Sequence, residues 1–152
     1  MLARNWLRQF GSFDNGQTYA LMILWGQDTW PYDNTTGAGP LRMGVGGRAW
    51  WGKVAIANSG TIDIPITIGD GQDNLDGALW WPESAAQQHN DIDLHLIDPG
   101  GTEHARGFSA ASVFERARAA GRLRPGTWRL RIRGFTVRTS SQIVYWAARV
   151  GN

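Results

Sequence analysis

Asp91, Asp93 and His95 stand at alternate positions in "HNDIDLHLIDPGG", His89 to Gly101. Alternation is the period of a β-strand, so the three side chains project from one face with same-side neighbours roughly 7 Å apart. Two carboxylates at that spacing can join loop carbonyls around Ca²⁺, which takes about six to eight oxygens, and this makes Asp91 and Asp93 the calcium candidates. Histidine is a poor ligand for that hard cation, and no second histidine or cysteine is placed to build a zinc site. The competing role for this face is charge pairing. Arg129, Arg131 and Arg133 alternate in "PGTWRLRIRGF" and offer a reciprocal basic face, with each cross-strand pair contributing about 0.2–1 kcal/mol. Pairing or plain solvation is expected in preference to a metal, and no resident cofactor is expected.

"GDGQDNLDG", Gly69 to Gly77, sets Asp70, Asp73, Asn74 and Asp76 among glycines but lacks the Asp-X-Asp-X-Asp-Gly spacing with a distant glutamate. It predicts a tight turn between strands. Nine tryptophans offer a further possibility. In the pairs Trp50-Trp51 and Trp80-Trp81, adjacent strand residues face opposite ways, so one ring of each pair points outward. Trp50 and Trp80, with Arg129, Arg131 and Arg133, form the candidate binding surface, for a protein anchor or for stacking on a sugar. Packing against the N-terminal segment is the ordinary use of such rings. The 14 arginines against 1 lysine favour planar pairing with carboxylate or phosphate. Nucleic-acid binding would need those arginines unpaired on one face and is not expected.

The elements that position these residues are mostly strands. "WWGKVAIA" (Trp50 to Ala57) is followed by an Asn-Ser-Gly turn. "TIDIPITI" places Ile62, Ile64, Ile66 and Ile68 on one face, and its Pro65, unable to donate to a ladder, predicts an edge strand. "DGALWWPE", "NDIDLHLI", "PGTWRLRIRGF" and "SQIVYWAARV" continue the pattern, whereas "ASVFERARAAGRL" fits helix and strand alike. The first forty residues differ. Leu2, Trp6, Leu7 and Phe10 recur at helical spacing before Gly11, and "TYALMILWGQ" (Thr18 to Gln27) is apolar nearly all round, as in a buried helix. A boundary is placed near Pro40, giving a helical segment over 1–40 and a sandwich over 41–152. The fold class is mainly β: an antiparallel, jelly-roll-like sandwich of roughly seven or eight strands with a short N-terminal helical segment.

Composition agrees with one domain. The chain of 152 residues is 42% hydrophobic and 18% charged, which excludes wholesale disorder, and no apolar run reaches the roughly 18 residues of a membrane span. A soluble chain without membrane contact is expected. There is no cysteine, hence no disulfide framework. The N-terminus lacks the apolar run and cleavage site of a signal peptide, so either the protein stays inside the cell or the chain is a piece of something longer. Residues 1–100 carry 5 basic and 11 acidic groups, residues 101–152 carry 10 and 2, so the two halves can pair their charges where they meet.

From Gly77 to Val150 the order of motifs resembles the β-sandwich domain that follows the catalytic domain in many subtilisin-like serine proteases, the pre-peptidase C-terminal or P-domain-like region. The residues that carry it are Trp81-Pro82-Glu83, Asn90 to Leu94 with Asp98-Pro99-Gly100, and Pro125-Gly126-Thr127-Trp128. The N-terminal piece is similar to the end of such a catalytic domain, where a buried helix precedes a loop that here reads Asp33-Asn34-Thr35-Thr36-Gly37-Ala38-Gly39. The family's Gly-Thr-Ser-X-Ala nucleophile segment and its upstream Asp and His have no counterpart in this chain. The resemblance therefore implies a non-catalytic accessory domain with a subtilase catalytic domain, or another protein, as partner, and an extracellular setting. It also makes "SVFERARAAG" a strand, with a residue out of alternation near Phe114. The alternative is a free-standing sandwich that binds glycan or protein. An accessory domain alone should bare an apolar patch around Trp6, Leu24 and Trp25; an independent module should bury them.

Overall fold

In the computed structural model, residues 14–27, 37–41, 48–84 and 88–151 are described. The expected helix over Leu2 to Phe10, Gly11 as its cap, Trp6, and the loop residues Asp33 to Thr36 fall outside them. Helix α1 runs Asn15–Leu24. It begins three residues before the expected Thr18 because Asp14 caps it, its carboxylate accepting the Gln17 N–H at 3.0 Å.

Eight strands follow: β1 (Arg48–Ile56), β2 (Thr61–Ile68), β3 (Asn74–Trp80), β4 (Asp91–Ile97), β5 (Glu103–Gly107), β6 (Phe114–Ala120), β7 (Gly126–Thr136) and β8 (Gln142–Gly151). They form two antiparallel four-stranded sheets, in the orders β1-β8-β3-β6 and β2-β7-β4-β5. Every connection crosses between sheets except the β4–β5 hairpin, and the two orders run in step, which is the rolled-up arrangement of a jelly roll. Among the described residues β2 pairs with β7 alone, so Pro65 does lie on an edge strand, opposite Arg129.

Period-two patterning decides which side chains meet between the sheets. Ile64, Ile66 and Ile68 of β2, Ile92, Leu94 and Leu96 of β4, and Trp128, Leu130 and Ile132 of β7 are buried in one core with Trp81. Each such side chain withdrawn from water contributes about 1.5–3 kcal/mol. Trp128 satisfies its indole N–H on the Arg124 carbonyl at 2.8 Å. Gly77 of β3 lets the sheets close: a Cβ there would stand 3.1 Å from Leu96 and 3.3 Å from Leu130.

A second core lies on the outer side of the β1-β8-β3-β6 sheet, where α1 presses Ala20, Leu21 and Leu24 onto Ala78 and Ala147. Gly16 sits so close to the Tyr145 ring that a Cβ there would collide with it, and Gln17 donates to the Trp146 carbonyl at 3.1 Å. The helix is not buried all round, since Tyr19 and Met22 remain exposed. Its C-terminal neighbour Gly26 bridges Leu41, on the far side of Pro40.

The run "SVFERARAAG" is strand β6, paired with β3. Its burial alternates without interruption from Phe114 to Ala120, so the expected irregularity at Phe114 does not occur. What breaks the hydrophobic pattern is Glu115, an acid at an inward position. Phe114 points outward and packs in the core beneath α1. β5 was not among the predicted strands.

Candidate binding face

The outer face of the β2-β7-β4-β5 sheet gathers the charged residues singled out above. Register sets Asp93 opposite Arg133, His95 opposite Arg131, and Ile97 opposite Arg129. The close carboxylate partner of the arginines comes from the other neighbour, β2. Asp63 accepts two hydrogen bonds from Arg131, from Nε at 2.7 Å and Nη2 at 2.9 Å, and lies 3.8 Å from Arg129. These bonds hold the Asp63 carboxyl below its ordinary range and raise the Arg131 guanidinium. Asp63 stands on the outward face predicted for "TIDIPITI", but nothing in that segment says which strand lies beside it.

Asp93 is 9% exposed. Burial, then the charge of Asp91, push its carboxyl upward, while His95, Arg133 and Arg106 pull it back. His95 places Nδ1 2.7 Å from Glu103, and its Nε2 is buried with no hydrogen-bond partner. Among the described residues no three His, Cys, Asp or Glu side chains converge as a metal shell, so Asp91 and Asp93 stand as two carboxylates without a third. The "GDGQDNLDG" stretch divides as a turn followed by a strand. Asp70 is exposed, 3.5 Å from Arg122, while Asp76 is wholly buried on β3 with Arg149 at 3.0 Å and Arg118 at 3.5 Å.

The tryptophan pairs do face opposite ways, but their outward rings lie under other parts of the chain. Trp81 is in the main core and Trp80 in the core beneath α1, where Tyr19 stacks on it at 4.6 Å and Tyr145 lies at 5.8 Å. Trp50 packs half-buried against the main core, with Arg48 5.1 Å above its ring, and Trp51 packs on the helix side.

Among the described residues, the aromatic rings most open to solvent are two that composition did not single out. Phe108, just after β5, is 60% exposed, and Phe135 on β7 is 54% exposed. Each carries an arginine over its ring, Arg106 at 4.6 Å and Arg133 at 5.3 Å. Phe135 projects as the next outward residue of β7 after Arg133, and the β4–β7 register shift, with Asp91 facing Thr136 and Ile92 facing Gly134, leaves it without a partner residue on β4. Phe108 follows Gly107, the residue opposite Leu94, and so continues the row of Asp93 and Arg133.

Behind Phe108 is a small cavity of about 110 Å³ lined by Arg106, Gly107, Phe108, Glu115 and Arg116. Glu115 is 2% exposed. Its carboxyl is pushed up to about 8, chiefly by burial and further by Asp93 and Asp91, against the Ser109 N–H that it accepts at 2.6 Å. The signal was in the sequence, as an acid at an inward position, but it becomes readable only once the segment is known to be a strand.

A wider, polar cleft of about 460 Å³ opens at one end of the sandwich among Glu83, Asn90, Arg138 and Gln142. Its wall groups bond to one another: Asn90 donates to Glu83 at 2.7 Å and to Gln142 at 2.9 Å, and accepts from the Arg138 N–H at 2.8 Å. Such a lattice ties the loops together and leaves these atoms engaged with each other.

No protein-family model matches the chain, and no curated protein matches it. Among solved structures it is similar to the Yersinia pseudotuberculosis-derived mitogen, at a TM-score of 0.53 and 15% identity over 70% of this chain and 88% of that one. The likeness is one of fold. Two fainter similarities are to the periplasmic inhibitor of g-type lysozyme from Aeromonas hydrophila (TM-score 0.45, 11% identity, 74% and 94% covered) and to the capsid asymmetric unit of cyanophage Pam1 (0.34, 19%, 81% and 99%).

Proposed function

We propose that this chain is a non-catalytic β-sandwich module that binds a protein partner through the outer face of the β2-β7-β4-β5 sheet. The observation that carries the reading is the pair Phe108 and Phe135, both more than half exposed and each stacked with an arginine. Aromatic and arginine side chains dominate the energetic centres of protein interfaces, because they bury large area at low entropic cost and bond through planar groups. The glycan alternative loses support, because of the two rings expected to face outward Trp80 already lies under Tyr19 and Trp50 packs against the main core.

The burial of Leu24 and Trp25 against the chain's own sheet favours a self-contained module over a domain stripped from a larger body at that surface. The motif order from Trp81 to Trp128 supports a second reading, in which the module is the accessory domain of a subtilisin-like protease. A catalytic domain of that class is then the partner to try first. In a titration of labelled chain against active-site-blocked subtilisin-like proteases, we expect saturable binding that weakens at least about tenfold in the Phe108→Ala, Phe135→Ala double variant. Binding undiminished in the double variant would overturn the proposed face, and absence of binding to every such protease would overturn the subtilase partner.

A further inference from the structure

The geometry points to residues 108–113 as a pH-operated latch on that face: neutral Glu115 holds the segment against β5 and β6, and its ionisation releases Phe108. The inference rests on the proposed reading only for the role of Phe108 as an anchor; the latch itself is a property of the isolated chain. Glu115 projects inward from β6 and ties down the segment by accepting the Ser109 N–H at 2.6 Å, a bond that charge by itself would strengthen, but the burial of the carboxyl opposes that charge more than the bond favours it. Its other carboxylate oxygen is packed against Gly107, where a Cβ would come within 2.5 Å of it. Other described bonds of the segment are local ones: Ala111 N–H to the Ser109 hydroxyl at 3.4 Å, and Ser112 with the Phe114 backbone at 2.6 and 3.0 Å. At its far end the Val113 carbonyl accepts the Trp81 N–H at 3.1 Å, which supplies a fixed hinge.

Burial and two nearby acids both oppose charge on Glu115. β4 presents Asp91 and Asp93, whose charges oppose its ionisation, together with His95. β5 presents Arg106 over Phe108, with Glu103 engaged by His95, and His104 beside Asp98. On β6 itself Arg116 lines the cavity and Arg118 turns outward to Asp76 of β3, which is shared with Arg149 of β8. Arg133 of β7 lies beyond Asp93, and the latch segment carries no ionisable side chain. The simplest relief for a buried carboxylate is water, and the 110 Å³ cavity under Phe108 is where water would enter as the segment lifts. Lifting it separates Phe108 from Arg106 and dismantles half of the proposed anchor.

The test is amide hydrogen exchange at Ser109, followed by NMR across the titration of Glu115 and corrected for base catalysis, with the Trp81 amide as internal reference. Ser109 protection is expected to fall at least about tenfold between about pH 7 and 9 while Trp81 is unchanged, and Glu115→Gln should hold Ser109 protected throughout. Flat protection in the wild type, or the same step in Glu115→Gln, would overturn the latch. Should that variant not fold, the wild-type Glu115 carboxyl resonance decides: it must titrate together with the Ser109 amide shift, and independent titration overturns the proposal. None of these readouts involves a partner, so a failed latch and a failed partner assignment are told apart.

Discussion

Arg131 on β7 grips Asp63 on β2 through two parallel hydrogen bonds, of 2.7 and 2.9 Å, on the solvent side of an edge pairing. The pair is bidentate but only partly shielded, so its worth is that of a good surface ion pair. Asp63→Asn should cost about 0.5–1 kcal/mol in urea unfolding at low salt, and about half of that loss should vanish at roughly 1 M salt. Because the folded state depresses the Asp63 carboxyl below its ordinary 3.8, its contribution is present above that value and is lost as pH falls through the lower folded value. An Asp63→Asn loss that persisted in acid, once the carboxyl is protonated in the folded state, would contradict the assignment.

Glu115 gives the opposite pH dependence. Its carboxyl is raised from 4.5 to about 8, so its contribution is fully present below pH 4.5 and is lost as pH rises through about 8. Unfolding free energy should therefore decline between those values, by an amount on the order of 5 kcal/mol. Glu115→Gln should flatten the decline and be the more stable protein above about pH 9, as read from denaturant midpoints at matched slopes.

Gly77 of β3 faces Leu96 of β4 and Leu130 of β7 across the core with no room for a larger side chain. Gly77→Val would drive methyl groups into Leu96 and Leu130, which a Cβ alone already meets at 3.1 and 3.3 Å. We expect a loss of about 2–3 kcal/mol and a correspondingly lower Tm, with secondary structure retained by circular dichroism.

Gly16 tests whether the helix belongs to the module. Gly16→Val collides with the Tyr145 ring and should lift the first turn of α1 from β8, uncovering Trp80. The expected signature is a red-shifted tryptophan emission and faster proteolytic cleavage near Asp14, with the main core still cooperatively folded. Unchanged emission and cleavage would mean that α1 docks without needing this contact.

Phe108 and Phe135 are exposed, and truncating them removes little buried surface. The double alanine variant should stay within about 0.5 kcal/mol of the wild type in stability. That makes any loss of partner binding a loss of contact and not of fold.

The sequence by itself determined the strands whose hydrophobic residues alternate. β2, β4 and β7 have the inward residues that period two assigns, and Pro65 announced its edge strand, because the direction of a side chain relative to its own backbone is a local property. It did not reveal β5, whose five residues "EHARG" carry no apolar alternation, and it left β6 ambiguous until pairing with β3 resolved it. The charged face was legible as a face, but its pairing was not. That Arg131 holds Asp63, that the outward Trp80 lies under Tyr19, and that Glu115 sits beneath Phe108 were decided by strand order, register and the docking of α1. Each of these brings together residues far apart along the chain or on different layers. Local periodicity says which way a side chain points; tertiary structure decides what it meets there.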